Sequence, residues 1–231
     1  MKKNISVVVP TLNEEANVQS LVSRMDAALK KADIFYKIIF IDDHSTDGTV
    51  REIEKLALCY PLKYWLKVGS PGKAFSLLEG FSRSSSEVIA MIDADLQYPP
   101  EAIPEMAEKI LKGEADIVVA RRIKRNEPFL RRLLSRGFAF FVGRVLCGLD
   151  VDVQAGLKVF RKEILEKISL RPSPWSFDLE FLFKARDAGY IISSVGITFE
   201  ARKRGESKLK LVSSVVEIGT SAVLLRFKRK R

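Results

Sequence analysis

Cysteine, histidine and long apolar runs are scarce in this 231-residue sequence, which contains two cysteines and one histidine. Cys59 and Cys147 provide neither a disulfide framework nor the spacing of a zinc site, and so small a number suits a reducing compartment. No stretch reaches the roughly 18 uninterrupted apolar residues expected of a membrane-spanning helix. The N-terminal apolar stretch soon meets Pro10, so we interpret it as a first strand and not as a signal peptide.

Internal repeats and Gly/Ser-rich linkers are also absent from the sequence. With 47% hydrophobic residues, a chain of this length can bury the core of one large domain. We expect that domain to cover residues 1–208, and residues 209–231 to form an amphipathic, basic helix or tail. The apolar face of this tail would dock on the protein body or lie on a membrane surface.

The net charge of +10 is concentrated in two stretches of the second half. Residues 121–136 carry seven Lys or Arg against one Glu, and residues 200–231 carry ten against three Glu. Concentrated positive charge attracts phosphate, whether in nucleic acid, anionic lipid or a phosphorylated substrate. Composition alone does not choose among these partners.

Apolar segments alternate with amphipathic helical patterns through the first half of the chain. The segments ISVVVP, YKIIFIDD, EVIAMIDAD and ADIVVARR are apolar on both faces, as expected of parallel strands covered by helices. The sequence therefore predicts an α/β fold with a mostly parallel central sheet and helices on both faces. Ligands bind such sheets beyond the carboxyl ends of the strands. The charged residues expected at those ends are Asp42, Asp43, Asp93, Asp95, Arg121 and Arg122.

The segment VIAMIDADLQYPPE, residues 88–101, ends a buried strand with Asp93 and Asp95. Two nearby carboxylates repel each other, and a divalent cation relieves that repulsion. If the extended conformation continued, Gln97 would point to the same side as both carboxylates. Hard oxygen ligands of this kind suit Mg²⁺ or Mn²⁺, with further positions left for water and substrate phosphates. A solvated turn is the alternative reading of the same residues.

The segment IDDHSTDGT, residues 41–49, places another acidic pair at the end of an earlier strand. A carboxylate there could accept hydrogen bonds from a nucleobase or from ribose hydroxyls. Asp47 and Thr49 are expected to organise the turn into the next helix, and His44 is interpreted as an exposed loop residue. A phosphoryl-accepting receiver domain also has an acidic pair at a strand end. Such a domain is much shorter than this chain and lacks the second acidic strand end.

Seven segments occur in the order found in the inverting glycosyltransferases of family 2, which have the Rossmann-like GT-A fold. They are VVPTLNEE, IDDHSTDGT, DADLQYPPE, DIVVARR, DVQAGLKVFRKE, WSFDLE and RKRGESKL. Within that family the chain resembles the polyprenyl-phosphate glycosyltransferases, which include the dolichyl-phosphate mannosyl and glucosyl enzymes. The resemblance extends from about residue 4 to residue 211.

The resemblance implies a role for individual residues of this chain. The positions that match the nucleotide-sugar site are Pro10, Leu12, Glu14, Ile41, Asp43, Asp93, Ala94, Asp95, Gln97, Arg122, Arg202 and Lys208. The expected metal ligands are Asp93, Asp95 and Gln97, and the expected catalytic group is Asp93, Asp95 and Arg122. The positions that match the acceptor-phosphate site are Arg122, Arg136, Arg202, Ser207 and Lys208.

The reaction that the resemblance implies is inverting transfer of a hexose, with mannose favoured, from GDP-mannose or UDP-glucose to a polyprenyl phosphate. Mg²⁺ or Mn²⁺ is the expected cofactor. A phosphate monoester has a second pKa of about 6, so at neutral pH it requires positive charge and not a general base. Asp178 lies where other family members have a base, and we interpret it as a helix-start residue or as a contact to a sugar hydroxyl or cation.

Several alternatives stay open from the sequence. They are a UDP-glucose-dependent glucosyltransferase, a family 2 enzyme that acts on a saccharide or protein hydroxyl, and a non-catalytic module that binds anionic lipid or nucleic acid. The QxxRW motif of processive polysaccharide synthases is missing, and no nucleic-acid-binding motif is present. Because a polyprenyl phosphate is a membrane lipid, we expect a peripheral position on the cytoplasmic face of a membrane, with or without a membrane subunit.

Overall fold

The computed structural model describes residues 4–124, 148–174 and 176–200, together with residues 217, 219–221, 223 and 224. Strands and helices alternate along these residues. In chain order they are β1 (Asn4–Thr11), α1 (Glu15–Lys31), β2 (Phe35–Asp42), α2 (Thr49–Ala57), β3 (Leu62–Leu66), α3 (Lys73–Ser82), β4 (Val88–Ile92), a 3₁₀ turn (Pro100–Ala102), α4 (Ile103–Leu111), β5 (Ile117–Lys124), β6 (Leu157–Arg161), α5 (Ile164–Lys167), α6 (Phe177–Asp187) and β7 (Ile192–Thr198).

The strands of the described residues form one seven-stranded sheet in the order β3-β2-β1-β4-β6-β5-β7. Neighbouring strands pair in parallel except at β6, which runs antiparallel to both β4 and β5. Parallel strands require crossover connections, which the helices between them provide. The predicted α/β fold with a mostly parallel sheet is confirmed.

The central strands are buried on both faces because helices cover the sheet on both sides. All five residues of β4 are buried, and Ile5 and residues 7–9 of β1 are completely inaccessible to solvent. Helix α3 lies so close to β1 that a Cβ atom on Gly80 would be 2.3 Å from Val8 Cγ1. Any larger residue at Gly80 would therefore move α3 away from the sheet.

The predicted domain boundary at residue 208 lies outside the described residues, and of the predicted tail the structure describes only six positions. Among the described residues, no helix combines the length and the apolar character needed to cross a membrane.

Candidate functional site

The carboxyl ends of β1, β2 and β4 lie side by side and carry several of the predicted site residues. Thr11, the last residue of β1, pairs with Asp42, the last residue of β2. The Asp43 N–H donates to the Thr11 carbonyl at 2.7 Å, and the Asp93 N–H donates to the Gly156 carbonyl at 3.2 Å. These hydrogen bonds connect the segments beyond the strand ends at the edge where parallel sheets bind ligands.

Asp42 takes part in the turn that follows β2. Its carboxylate accepts hydrogen bonds from Thr11 Oγ1 at 3.3 Å, from the Ser45 N–H at 2.9 Å and from Ser45 Oγ at 2.5 Å. Asp47 accepts a hydrogen bond from the backbone N–H of Thr49, the first residue of α2, at 3.0 Å. The prediction that Asp47 and Thr49 organise this turn is confirmed.

Asp43 forms a buried ion pair that the sequence did not reveal. Its carboxylate lies 2.6 Å from Lys67 Nζ and accepts a hydrogen bond from the Gly72 N–H at 2.7 Å. The Lys67 ammonium also donates to the Gly72 carbonyl and to Ser76 Oγ, both at 3.0 Å. Burial alone would raise the pKa of Asp43, but the hydrogen bonds from Lys67 and Gly72 outweigh burial and hold this pKa below its usual value. Asp43, Lys67 and Gly72, here named the α3 clasp, fix the segment that precedes α3.

The carboxylates that follow β4 lie in a turn, since the strand ends before Asp93. Leu96 adopts a φ of 60°, and the Gln97 N–H donates to Asp95 Oδ1 at 3.1 Å. The expectation that Gln97 continues the alternation of Asp93 and Asp95 is therefore wrong, because the backbone has left the extended region. Asp93 remains accessible, with 27% of its side chain exposed.

Lys73, the first residue of α3, forms an ion pair with Asp93. Lys73 Nζ lies 2.5 Å from Asp93 Oδ1. Burial lowers the pKa of Lys73, but the negative charges of Asp93 and Asp178 raise it more, and the resulting pKa lies above its usual value. Lys73 is therefore a cation at neutral pH.

A third ion pair lies between β6 and α6. Lys158 on β6 is fully buried, and its ammonium lies 2.5 Å from Asp178 Oδ1 and donates to the Ala155 carbonyl. Burial lowers the pKa of Lys158, and the charge of Asp178 opposes that effect. The helix-start position predicted for Asp178 is confirmed, since α6 begins at Phe177. Its pairing with Lys158 was not predicted.

Gly156, just before β6, leaves space for the Asp93 carboxylate. A Cβ atom on Gly156 would be 2.1 Å from Asp93 Oδ2 and 2.9 Å from Tyr98 Cε2. The glycine of the segment DVQAGLK is therefore required by the position of a predicted metal ligand.

Arg122 on β5 forms a two-point ion pair with Asp152. Arg122 Nε lies 2.6 Å from Asp152 Oδ2, and Nη2 lies 3.0 Å from Oδ1. The guanidinium carbon lies 5.1 Å from the centre of the Phe199 ring, which packs edge-to-face on Tyr98. Burial is the main cause that raises the pKa of Tyr98, so its phenol is protonated at neutral pH. Asp152, which the sequence did not single out, fixes the plane of the Arg122 guanidinium.

The residues that match the nucleotide pocket differ in accessibility. Pro10 near the end of β1 is partly buried, as are Leu12 and Glu14 in the segment that follows. Ile41 is completely buried in the core, and Ala94 is 3% exposed. The Ile41 side chain therefore packs against other core residues and does not face solvent.

The acceptor side of the predicted site falls mostly outside the described residues. The residues concerned are Arg136, Arg202, Ser207 and Lys208. Their assignment remains a prediction. Two residues before Arg202, the Glu200 N–H donates a hydrogen bond to the Gln97 carbonyl at 3.0 Å.

The turn after β4 offers the donors that a hard cation requires. The described residues contain no cluster of three or more His, Cys, Asp or Glu side chains suited to a metal ion. Asp93 and Asp95 nevertheless supply two carboxylates, and one or two carboxylates suffice for Mg²⁺ when substrate phosphates and water complete the coordination. The ammonium of Lys73 already lies on a carboxylate oxygen of Asp93, so this position attracts a cation. The residues fit the implied ion.

Comparison with known proteins gives a consistent result over most of the sequence. The family model described as glycosyl transferase family 2 matches residues 6–169. A dolichol-phosphate mannosyltransferase from Pyrococcus furiosus is 36% identical over 213 residues, which cover 89% of this chain and 59% of that protein. A dolichol-phosphate mannosyltransferase from Saccharomyces cerevisiae is 31% identical over 90% of this chain and 82% of its own length. A polyprenol monophosphomannose synthase from Mycolicibacterium smegmatis is 30% identical over 88% of this chain and 80% of its own length.

The chain thus spans less than two thirds of the archaeal relative and about four fifths of the other two. Among solved structures, glucosyl-3-phosphoglycerate synthase from Mycobacterium tuberculosis in complex with UDP has a TM-score of 0.75 at 23% identity, with 97% of this chain and 80% of that chain covered. The same synthase with Mn²⁺, UDP-glucose and phosphoglyceric acid has a TM-score of 0.75 at 22% identity, with the same coverage. This likeness shows the fold alone.

Proposed function

The chain belongs to glycosyltransferase family 2, and from this premise we propose that it transfers a hexose, with mannose favoured, from a nucleotide sugar to the phosphate of a polyprenyl phosphate. The observation that carries this proposal is an identity of 30–36% to three relatives, over 88–90% of this chain. Two of them are named dolichol-phosphate mannosyltransferase and the third polyprenol monophosphomannose synthase. The product would be a lipid-linked sugar.

The proposed donor site lies at the carboxyl ends of β1, β2 and β4. Asp93, Asp95 and Gln97 would hold Mg²⁺ or Mn²⁺, and Mn²⁺ accompanies UDP-glucose in a solved structure with the same fold. When bound, the cation supplies positive charge that stabilises the departing nucleoside diphosphate. Leu12 and Glu14 lie at the same edge, where the nucleoside would bind.

The proposed acceptor is an anion that needs no deprotonation by the enzyme. One oxygen of the lipid phosphate forms a bond to the anomeric carbon, and the bond from that carbon to the β-phosphate oxygen of the donor breaks, which inverts the anomeric configuration. Arg122, together with Arg136, Arg202, Ser207 and Lys208, would hold the lipid phosphate by charge-assisted hydrogen bonds.

The placement of Asp178 supports a phosphate acceptor over a hydroxyl acceptor. Transfer to a hydroxyl requires a general base. Asp178 lies at the position where other family members have such a base. The carboxylate of Asp178 lies 2.5 Å from the buried ammonium of Lys158. The carboxylate of Asp178 is thus already engaged by a cation of the protein itself, which favours the phosphate acceptor.

An assay with purified protein tests the proposed function. The protein is incubated with Mn²⁺ or Mg²⁺, labelled GDP-mannose or UDP-glucose, and a short polyprenyl phosphate, and the organic phase is analysed for labelled lipid. We expect a mannosyl lipid that disappears with EDTA, and NMR of the product gives its anomeric configuration. A product formed from UDP-glucose but not from GDP-mannose would change the proposed sugar to glucose. If neither donor gives a lipid-linked sugar, the proposed function is wrong.

A matched pair of variants tests the metal ligands in the same assay. Asp95→Asn should lower kcat/KM roughly 100-fold, because an amide binds a hard cation more weakly than a carboxylate does. Asp33→Asn removes an exposed carboxyl group at the end of α1 and should leave the rate unchanged. Normal activity of the Asp95 variant contradicts the metal assignment.

A further inference from the structure

Lys73 combines a fixed backbone with a side chain that can move. The α3 clasp holds Gly72 through both its N–H and its carbonyl, and Lys73 follows as the first residue of α3. The Lys73 side chain is 39% exposed, and its four-carbon stem lets the ammonium change position. Its ammonium lies 2.5 Å from Asp93 Oδ1, on one of the two carboxylates of the proposed metal site.

An ammonium and a metal ion cannot share this oxygen. A carboxylate oxygen binds Mg²⁺ at about 2.0–2.1 Å, and two cations on one oxygen repel each other strongly. The other oxygen of Asp93, Oδ2, lies against Gly156, so a divalent ion that binds Oδ1 has to displace Lys73. The negative charge of Asp178 also raises the pKa of Lys73, so Asp93 is not the sole acidic group that acts on this ammonium.

We propose that Lys73 is a positioning residue that acts as an internal counter-ion of Asp93 and makes the metal affinity of the site depend on a bound nucleoside diphosphate. Without nucleotide, the metal has to displace the ammonium. With nucleotide, the phosphates give the displaced ammonium a new anionic partner, and the metal binds more easily. This inference rests on the proposed function, because it concerns the cation held by Asp93 and Asp95.

The coupling is reciprocal and therefore measurable from both ligands. If a nucleoside diphosphate increases the affinity for Mn²⁺ by a given factor, Mn²⁺ increases the affinity for that nucleotide by the same factor. Removal of the Lys73 charge should reduce this factor and, at the same time, increase the affinity for Mn²⁺ alone. A residue that only stabilised the fold would not change the two affinities in this way.

The experiment measures free Mn²⁺ by electron paramagnetic resonance in titrations of the whole chain without nucleotide. We expect Lys73→Met to bind Mn²⁺ roughly tenfold more tightly than the wild type, within the range of ordinary coupling. Lys73→Arg retains a cation and should bind Mn²⁺ as the wild type does. Lys55→Met, which removes an exposed lysine of α2, is the matched control and should also behave as the wild type.

A second titration adds GDP or UDP at saturation. We expect the nucleotide to strengthen Mn²⁺ binding at least fivefold more in the wild type than in Lys73→Met. Circular dichroism establishes that each variant is folded. Unchanged or weaker Mn²⁺ binding by folded Lys73→Met would overturn the inference.

A further variant separates this inference from the proposed metal site. If Asp93→Asn loses Mn²⁺ while Lys73→Met binds it as the wild type does, only the role of Lys73 is overturned. If Asp93→Asn binds Mn²⁺ as tightly as the wild type, the metal site is wrong and the inference is overturned with it.

Discussion

Gly156 has no side chain and therefore leaves the space that the Asp93 carboxylate occupies. The Gly156→Ala methyl would be 2.1 Å from Asp93 Oδ2, so the carboxylate has to move. We expect about 1–3 kcal/mol lower free energy of unfolding and weaker binding of Mn²⁺. Urea denaturation and Mn²⁺ titration measure these effects.

The same glycine substitution in an Asp93→Ala background provides the control. There the added methyl no longer meets a carboxylate, and the loss of stability should be smaller. If Gly156→Ala lowers the stability equally in both backgrounds, crowding at Asp93 is not the cause of the lower stability.

Asp43 makes stability depend on pH through its ion pair with Lys67. Because the pKa of Asp43 in the folded protein lies below its usual value of 3.8, its stabilisation is complete above that value. It is lost as the pH falls through the lower folded pKa. Asp43→Asn leaves the buried Lys67 ammonium without a counter-charge, which should cost about 3 kcal/mol at pH 7.

Thermal unfolding between pH 7 and pH 2 measures this effect. The difference between the wild type and Asp43→Asn should shrink below about pH 3.8, as the wild type also loses its anion. Asp33→Asn, at an exposed carboxyl group, should show no such change. A difference that stays constant down to pH 2 would rule out the ion pair as its source.

The partners of these charged residues could not be predicted from the sequence. Asp43, Asp93 and Arg122 were recognised by their positions at strand ends. Lys67 and Asp152 were missed because they pair with residues 24 and 30 positions away, and no local pattern encodes such a contact. The one available signal was that Lys67 directly follows β3, at the same edge of the sheet.

At the scale of elements, the segment before α3 depends on the backbone of Gly72. Its φ of 128° lies in a region that residues with a side chain rarely adopt. Gly72→Ala should cost about 1–3 kcal/mol and loosen the first turn of α3, where Lys73 lies. Urea denaturation and hydrogen exchange of the first-turn amides measure the two effects.

Gly69→Ala, in the same loop, is the matched control because a Cβ atom there meets nothing within 4 Å. It should leave both stability and amide exchange unchanged. Equal destabilisation by the two variants would show that the φ of Gly72 is not responsible.

Strands and helices were largely predictable, whereas the turn after β4 was not. The apolar runs of β1, β2 and β4 reflect burial on both faces, which a sequence shows directly. The φ of 60° at Leu96 is imposed by the surrounding fold, so Gln97 could not be placed from an assumed alternation. The antiparallel direction of β6 is likewise set by its neighbours and not by its own residues.

At the scale of the whole molecule, the uneven charge, taken together with the proposed lipid acceptor, predicts binding to anionic membranes. The excess of Lys and Arg lies in residues 121–136 and 200–231. Each basic residue near an anionic surface contributes about 1 kcal/mol, and about 1 M salt shortens the screening length to roughly 3 Å. Co-sedimentation should show binding to phosphatidylserine vesicles at 0.1 M salt and release at about 1 M salt.

Neutral phosphatidylcholine vesicles are the control and should bind little protein at either salt concentration. Equal, salt-independent binding to both kinds of vesicle would indicate an apolar contact and contradict the electrostatic explanation. The family and its fold were predictable from seven short segments in order, because together they extend over most of the chain.

The sheet order has a consequence for synthesis on the ribosome. Strands β1, β2 and β3 pair only with one another and with β4, so they can assemble while the second half is still being translated. By contrast, β5 is complete at Lys124 but its two neighbours are β6 and β7. The edges of β5 therefore have no paired strand until Leu157–Arg161 has been synthesised, and unpaired strand edges make a nascent chain prone to aggregation.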